Sequence, residues 1–257
     1  MDANERKILG SKTAKSGFKF EKVVETALLN FRKDSLGKSL LIETGINLEN
    51  IKDIEKLPKK NNEKSDVRVL IKLKNKDVIF NISCKSYGDA SFNQIDKRPV
   101  DKYAEIFNFP DAVTVALKKF TGEINDGINK RKFFDQLLEE ERKYILEYFR
   151  KISKEVIELL FIGNGSNKIN WVVLRKKENP NEIEKINILP VSFCIDWANG
   201  EVKESKIHRG HISTFSIGKI KAQRKGGTPD PNSLQFKFSP GDLHKTYLEF
   251  KEDKIDS

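Results

Sequence analysis

The sequence predicts an α/β (α+β) protein, with an N-terminal unit of helices and strands, a long helical stretch and a β-rich C-terminal region. Three observations carry this. Residues 17–32, GFKFEKVVETALLNFR, repeat apolar side chains every three or four positions. Residues 65–86, SDVRVLIKLKNKDVIFNISCKS, alternate at every second position. Beyond Gly163 apolar residues come mostly in short strand-like runs. A period near 3.6 marks a helix with one buried face, and a period of 2 marks a strand.

The first helix carries Phe20, Val23, Val24, Ala27, Leu28 and Phe31 on one face and is entered through the basic segment GSKTAKSG. IKDIEKLPKKNNEKSD follows, a polar stretch broken by Pro58. Val67, Val69, Ile71 and Leu73 then point one way, and after a turn Val78, Phe80, Ile82 and Cys84 do the same, which reads as a hairpin. With Asn75 and Lys76 as the turn, Asp66 faces Lys85 and Arg68 faces Ser83. YGDASFNQIDKR reads as a polar loop, and a short helix starts at Pro99, since proline suits a first helical turn. AVTVAL reads as a short strand, Lys130 to Leu160 as helix ended by GNGS. The remainder reads as β: INWVVLRKK, a hairpin-like INILPVSFCIDWANGEVKES, HISTFSIGKIKAQRKGG and SLQFKFSP. Trp171 and Trp197 fall in apolar strand patterns and read as core.

At 257 residues the chain is long enough to bury a core without staples. Its two cysteines, Cys84 and Cys194, match no zinc or redox spacing, which favours reduced thiols and a cytoplasmic location. No segment approaches the ~18 consecutive apolar residues of a membrane span, so no membrane partner is expected. The formal charge is +10, with 48 basic against 38 acidic residues and ten of the basic ones arginine. Such an excess favours a polyanionic partner, nucleic acid before membrane surface. His208 and His211 in IHRGH have no further Cys or His nearby and read as loop residues at a phosphate.

An Asp facing a Lys across a hairpin is usually an ion pair contributing a few tenths of a kcal/mol. Phosphodiester hydrolysis asks for the same pair: a carboxylate that holds Mg²⁺ at the scissile phosphate and a lysine that orients water or stabilises developing charge. Asp66 and Lys85 meet that requirement, and Ser83 meets it in part, since a neutral hydroxyl is a poor Mg²⁺ ligand.

Ser65-Asp66, sixteen residues, then Ser83-Cys84-Lys85 resembles the PD-(D/E)XK nuclease signature, with serine at the proline position and at the second acidic position. The ordered stretches LGSKTAKSGFKFEK, KSDVRVLI, SFNQIDKR, FTGEI, IKAQRKGG and LQFKFSP resemble the small, monomer-acting type II restriction endonucleases of the HinP type, which cut GCGC. The CCGG-cutting MspI is a more distant relative. This resemblance, from about Leu9 to Leu243, implies a PD-(D/E)XK restriction-endonuclease-like core with a mixed central sheet flanked by helices. It implies a catalytic core over 1–118, a helical connector over 119–162 and a β-rich DNA-recognition region over 163–257. Asp66 becomes the main metal ligand, Lys85 the catalytic lysine and the Cys84 backbone carbonyl a further ligand. Serine at 83 invites a replacement carboxylate, for which Glu21 on the first helix leads and Glu25, one turn on, follows; a solvated helix glutamate is the plain alternative for both.

Reading of double-stranded DNA falls to two stretches. Gln223, Arg224 and Lys225 precede a Gly-Gly turn; arginine suits guanine O6 and N7, and glutamine suits base edges. Lys219 and Lys221 alternate on the same strand and suit phosphates. Phe92, beside Asn93 and Gln94 and shortly before Lys97, suits a wedge between base steps. Lys12, Lys15 and Lys19 lie at the first helix start, where backbone amides favour phosphate. The expectation is a prokaryotic Mg²⁺-dependent type II enzyme. It cuts a G/C palindrome as a monomer or weak dimer, one strand after the other, and is accompanied by a methyltransferase. A DNA-binding protein without catalysis and an RNA-binding or ribosome-associated basic protein are the rival classes.

Overall fold

The structure is a computed structural model and describes residues 17–58, 64–88, 92–124, 132–177, 186–208, 210–224 and 233–254. Lys12, Lys15 and Lys225 lie outside these residues. The chain forms two compact units, each assembled from separated segments: residues 1–91, 161–196 and 239–257 in the first, and 92–160 and 197–238 in the second. This interleaving differs from the three consecutive blocks expected at 118 and 162. Strands from 171–190 complete the first sheet, and the strand after residue 92 joins the second.

The first unit is built on a five-stranded mixed sheet. Its strands are β1 (Ile51–Lys56), β2 (Val67–Leu73), β3 (Asp77–Tyr87), β5 (Trp171–Lys176) and β6 (Ile186–Pro190), in the spatial order β1-β2-β3-β5-β6. Neighbours run antiparallel except β3 and β5, which are parallel. Helix α1 (17–29) buries Phe20, Val24 and Leu28, and α2 (Ser35–Glu43) buries Leu40 and Leu41, in one cluster with Val67, Val69, Ile71, Phe80, Ile82 and Cys84. Each such fully buried aliphatic or aromatic side chain contributes roughly 1.5–3 kcal/mol. Asp34 caps α2 by accepting from the Gly37 amide at 3.0 Å. At Gly37 a Cβ would lie 2.0 Å from the Ala27 carbonyl oxygen, so glycine is what lets α1 and α2 touch.

The alternation in β2 and β3 puts the expected residues inward, but the register differs by two. Val67 pairs with Ile82 and Lys72 with Asp77, and Lys74 and Asn75 form the turn, closed by the Leu73 amide donating to the Lys76 carbonyl. A slip of two leaves every side chain on its face. Asp66 therefore stands opposite Ser83, its amide donating to Ile82 O at 2.8 Å, and Lys85 lies one pair further along.

The second unit holds a fully antiparallel sheet. Strands β4 (Asn93–Arg98), β7 (Val202–Glu204), β8 (Thr214–Ile217), β9 (Ile220–Arg224) and β10 (Leu234–Phe238) stand in the order β4-β10-β9-β8-β7. Helices α3 (Val100–Phe107), α4 (Asp111–Thr121) and α5 (Glu139–Lys151) belong to the same unit. Its core is aromatic: Phe149 lies 5.2 Å from Phe215, Phe134 5.1 Å from Phe215, and Tyr103 5.2 Å from Phe236 between ring centroids.

Several element expectations are corrected. AVTVAL lies in α4, because Val113, Ala116, Leu117 and Phe120 continue at helical spacing between the Pro110 cap and Gly122. The segment read as loop around Gln94 is β4 from Asn93 onward. The long helix is two, α5 and α6 (Ser153–Ile162), after a 3-10 turn at Phe134–Gln136. VSFCIDWA is helix α7 (Val191–Ala198), so Trp197 is a helical core residue and Trp171 alone sits on a strand. The C-terminal stretch ends in α8 (Pro240–Asp253), which the β reading did not anticipate, with Ser239 as its cap.

Candidate active site

Asp66 precedes β2, and Ser83, Cys84 and Lys85 lie on β3 beside it, so the spacing of the sequence becomes a cluster in the first unit. The Asp66 Oδ2 atom accepts from the Cys84 amide at 2.7 Å, from the Ser83 hydroxyl at 3.2 Å and from Lys85 Nζ at 3.4 Å. Both partners of the ion pair are largely buried, with 19% and 23% of the Asp66 and Lys85 side chains exposed. Three donors on one oxygen hold the carboxylate in a single orientation. Serine at 83 thus orients Asp66 instead of adding negative charge.

Asp66 also lines a cleft of about 210 Å³ with Glu21, Glu25, Phe18, Lys22 and Lys56. Glu25 is engaged by Lys56 Nζ at 2.8 Å. Among the described residues no group of three or more His, Cys, Asp or Glu side chains gathers to hold a metal ion. His208 and His211 pair with each other through their backbones, and His211 stacks on Phe133 at 4.3 Å. The hard oxygens of Asp66 and Glu21 in one cleft suit a cation that keeps most of its own water, as Mg²⁺ does.

Arg68, on the same face of β2 as Asp66, is 9% exposed and was not expected as part of the site. Its guanidinium donates to Asn81 Oδ1 at 3.0 Å, Asn167 Oδ1 at 2.8 Å and the Pro58 carbonyl at 2.8 Å. Asn81 in turn donates to the Lys168 carbonyl. Arg68 faces Asn81, not Ser83. The far end of β3 is anchored by Tyr87, whose hydroxyl bonds His244 Nδ1, while His244 Nε2 meets Asn187 Oδ1 at 2.7 Å. Asn187 donates its amide to Glu43, so its oxygen is the acceptor and His244 Nε2 carries the proton.

In the second unit one sheet face is polar. Thr214, Gln223, Gln235 and Lys97 form one row across β8, β9, β10 and β4, and Ser216, Lys221, Lys237 and Gln94 form another. Between them Phe215, Ala222 and Phe236 point the other way and are fully buried. Burial pushes the Lys237 ammonium below the usual lysine range. Phe92 is 41% exposed, with Lys221 Nζ 4.1 Å from its ring centroid, so it is no core plug. Lys219 sits in the β8–β9 turn, 5.0 Å above the Trp197 ring. Arg224 departs from expectation. Next to Gln223 on a strand, it turns to the opposite face, donates to the Lys132 carbonyl at 2.6 Å and lies 4.8 Å from the Phe133 ring. Gln235 and Lys237 were missed, although the alternation in LQFKF places both on one face.

Residues 45–244 match the family described as R.HinP1I restriction endonuclease. The chain belongs to this family. Its fold is similar to that of a solved structure titled restriction endonuclease MspI in complex with its cognate DNA, with a TM-score of 0.62 at 12% identity, covering 89% of this chain and 91% of that one. No curated protein matches the chain. This R.HinP1I-family protein is a type II site-specific deoxyribonuclease of mixed α+β fold. No helix among the described residues is long and apolar enough to cross a membrane.

Proposed function

We propose that this endonuclease hydrolyses a phosphodiester bond in double-stranded DNA at a short G/C palindrome, GCGC by its resemblance to the HinP-type enzymes, leaving a 5′-phosphate. The observation that carries the chemistry is the Asp66 carboxylate pinned by the Cys84 amide with the Lys85 ammonium beside it. Asp66, the Cys84 carbonyl and Glu21 are the residues to hold Mg²⁺. Held by these residues, Mg²⁺ would supply Lewis acidity for activating water and offsetting charge at the phosphate. Lys85 holds the attacking water or the developing negative charge on the phosphoryl oxygens. Ser83 keeps Asp66 aimed, and Arg68 adds positive charge on the same face.

The polar face of the second sheet is the reading surface in this proposal. Gln94 and Gln223 meet base edges, Lys97, Lys221 and, from the β8–β9 turn, Lys219 meet phosphates, and Phe92 enters between base steps. Asn93, which stands opposite Phe238 on the other face, keeps its DNA-contact assignment on the strength of the resemblance alone. Arg224, held against Phe133, shapes this region from behind. Lys12 and Lys15 remain phosphate-contact assignments from their place before the first helix, and Lys225, beside Gln223 and Arg224, remains a base-contact assignment on the strength of the resemblance. The same resemblance supports a cytoplasmic prokaryotic enzyme that acts as a monomer, cuts the two strands in turn and is paired with a protective methyltransferase.

The test is digestion of an unmethylated plasmid of known sequence with Mg²⁺, beside an Asp66→Ala control, followed by sequencing of the fragment ends. Discrete ends within GCGC that disappear in the control are expected. Ends within another tetranucleotide would replace the specificity, and cutting that survives Asp66→Ala would remove the catalytic assignment.

A further inference from the structure

The polar face of the second sheet contains a chain of three glutamine side chains drawn from distant parts of the sequence. Gln223 Nε2 donates to Gln235 Oε1 at 3.2 Å, and Gln235 Nε2 donates to Gln94 Oε1 at 2.5 Å. Gln235 is the middle member and is only 8% exposed, whereas its two neighbours are partly open.

A β-bulge makes the chain possible. On β4, Lys97 stands opposite Gln235 and Gln94 stands opposite Lys237, although the two are three residues apart and simple alternation would put them on opposite faces. The register shift between Phe236 and Lys237 passes over Ile95 and brings Gln94 round to the polar face. Bulges re-aim side chains in this way.

A primary amide is both donor and acceptor, and the hydrogen bond it makes on one side decides what it offers on the other. Because Gln223 donates into the chain through its nitrogen, its oxygen is the atom directed to a ligand. Because Gln94 accepts through its oxygen, its NH₂ group is the one left to point outward. An acceptor at Gln223 suits the exocyclic amino group of cytosine or adenine, and a donor at Gln94 suits guanine O6 or N7. Without Gln235 each outer amide turns freely and offers either end.

We propose that Gln235 is a positioning residue that sets the donor and acceptor sense of Gln94 and Gln223 together, and so acts on base discrimination without itself reaching a base. This rests on the reading of the second sheet's polar face as the DNA-reading surface. The role separates from that of a packing residue because it depends on both ends of the Gln235 amide. Gln235→Met keeps the length and loses both bonds. Gln235→Glu keeps the bond from Gln223 but has no donor for Gln94, which must then rotate to give its NH₂ to the new carboxylate and present its oxygen outward.

The experiment measures equilibrium binding of full-length protein, by fluorescence anisotropy without divalent metal, to a duplex bearing the cleaved site and to duplexes with each base pair of that site substituted in turn. Wild-type protein is expected to prefer its own site. Gln235→Met is expected to lower that preference about tenfold, the equivalent of one well-placed amide contact, while affinity for the fully non-cognate duplex stays within about twofold. Gln235→Glu is expected to change which substitution is tolerated at a single position, from an acceptor-bearing to a donor-bearing base. Preference ratios for both variants equal to wild type would overturn the role of Gln235 and leave the reading surface standing. A wild-type protein that cuts at discrete sites yet shows no change of preference in Gln94→Ala or Gln223→Ala would overturn the reading surface itself, and the role of Gln235 with it. If Gln235→Met lost non-cognate binding as well, the Gln235→Glu pattern would decide.

Discussion

Asp66 owes its orientation to its neighbours, and the same holds for Arg68 two residues on. A guanidinium nearly out of water costs several kcal/mol unless its hydrogen bonds are met, and Asn81, Asn167 and the Pro58 carbonyl meet them here. Removing the charge leaves those oxygens without their donor. Arg68→Met is therefore expected to destabilise the fold by about 3 kcal/mol, read as a lower urea midpoint with an unchanged m-value. The two helix glutamates make a sharper pair. Glu25 is engaged by Lys56, an exposed partner, so Glu25→Gln is expected to cost under about 1 kcal/mol and to leave cleavage within about twofold. Glu21 and Glu25 both line the Asp66 cleft, and Glu21 is the one the resemblance favours as the replacement carboxylate, so Glu21→Gln is expected to cut the single-turnover rate at limiting Mg²⁺ about a hundredfold, with partial recovery as the metal is raised. Equal effects of the two substitutions would remove Glu21 as a ligand. That Asp66 and Lys85 come near each other was legible from the hairpin pattern, whereas Ser83 opposite Asp66 was not, because the register is two residues off the expected one; their catalytic reading came from the resemblance. Arg68 was not, since its partners lie at positions 58, 81 and 167 and no local pattern marks them.

At the level of elements, the β8–β9 hairpin turns on Gly218, whose φ is +56°. A Cβ there would lie 1.9 Å from the Ala198 carbonyl oxygen and 2.8 Å from the Gly200 amide nitrogen. Both the backbone conformation and the space exclude a side chain. Gly218→Ala is expected to lower stability by more than about 2 kcal/mol and to reduce the apparent melting temperature by several degrees, whereas a Gly165→Ala substitution, with open space around it, leaves melting unchanged within a degree or two. The β2–β3 hairpin was legible in its faces and not in its register, because moving the turn by one residue shifts the pairing by two and buries the same side chains. AVTVAL was misread for a related reason. A six-residue run with five apolar side chains fits either a strand or part of a helix, and only the continuation through Lys118, Lys119 and Phe120 distinguishes them.

For the whole molecule, the net charge of +10 sets how it meets DNA. Lys97, Lys221 and Lys237 all stand on one sheet face, where phosphate contacts release counterions. Affinity for a non-cognate duplex is expected to fall about a thousandfold between 50 and 200 mM monovalent salt. Lys221→Gln is expected to flatten the slope of log affinity against log salt by about one unit. A slope near zero would remove the electrostatic reading of this face. The chain order of the two units was the least legible feature. Segments as far apart as residues 77–87 and 171–176 lie side by side as parallel strands, and parallel pairing has no short turn to announce it.

The sequence by itself determined the class of the fold, the inward faces of β2 and β3, the pairing of a carboxylate with a lysine and the likeness to HinP-type endonucleases. The first three rest on local periodicity and on residues within one hairpin, and the likeness rests on short stretches in a fixed order along the chain. Tertiary structure alone decided the exact partner of Asp66, the buried surroundings of Arg68, the turning of Arg224 away from Gln223 and the glutamine chain across three strands. Each of these depends on register, on a bulge or on contacts between distant segments. A period of two records which face a residue takes, and nothing in it records which neighbour stands opposite.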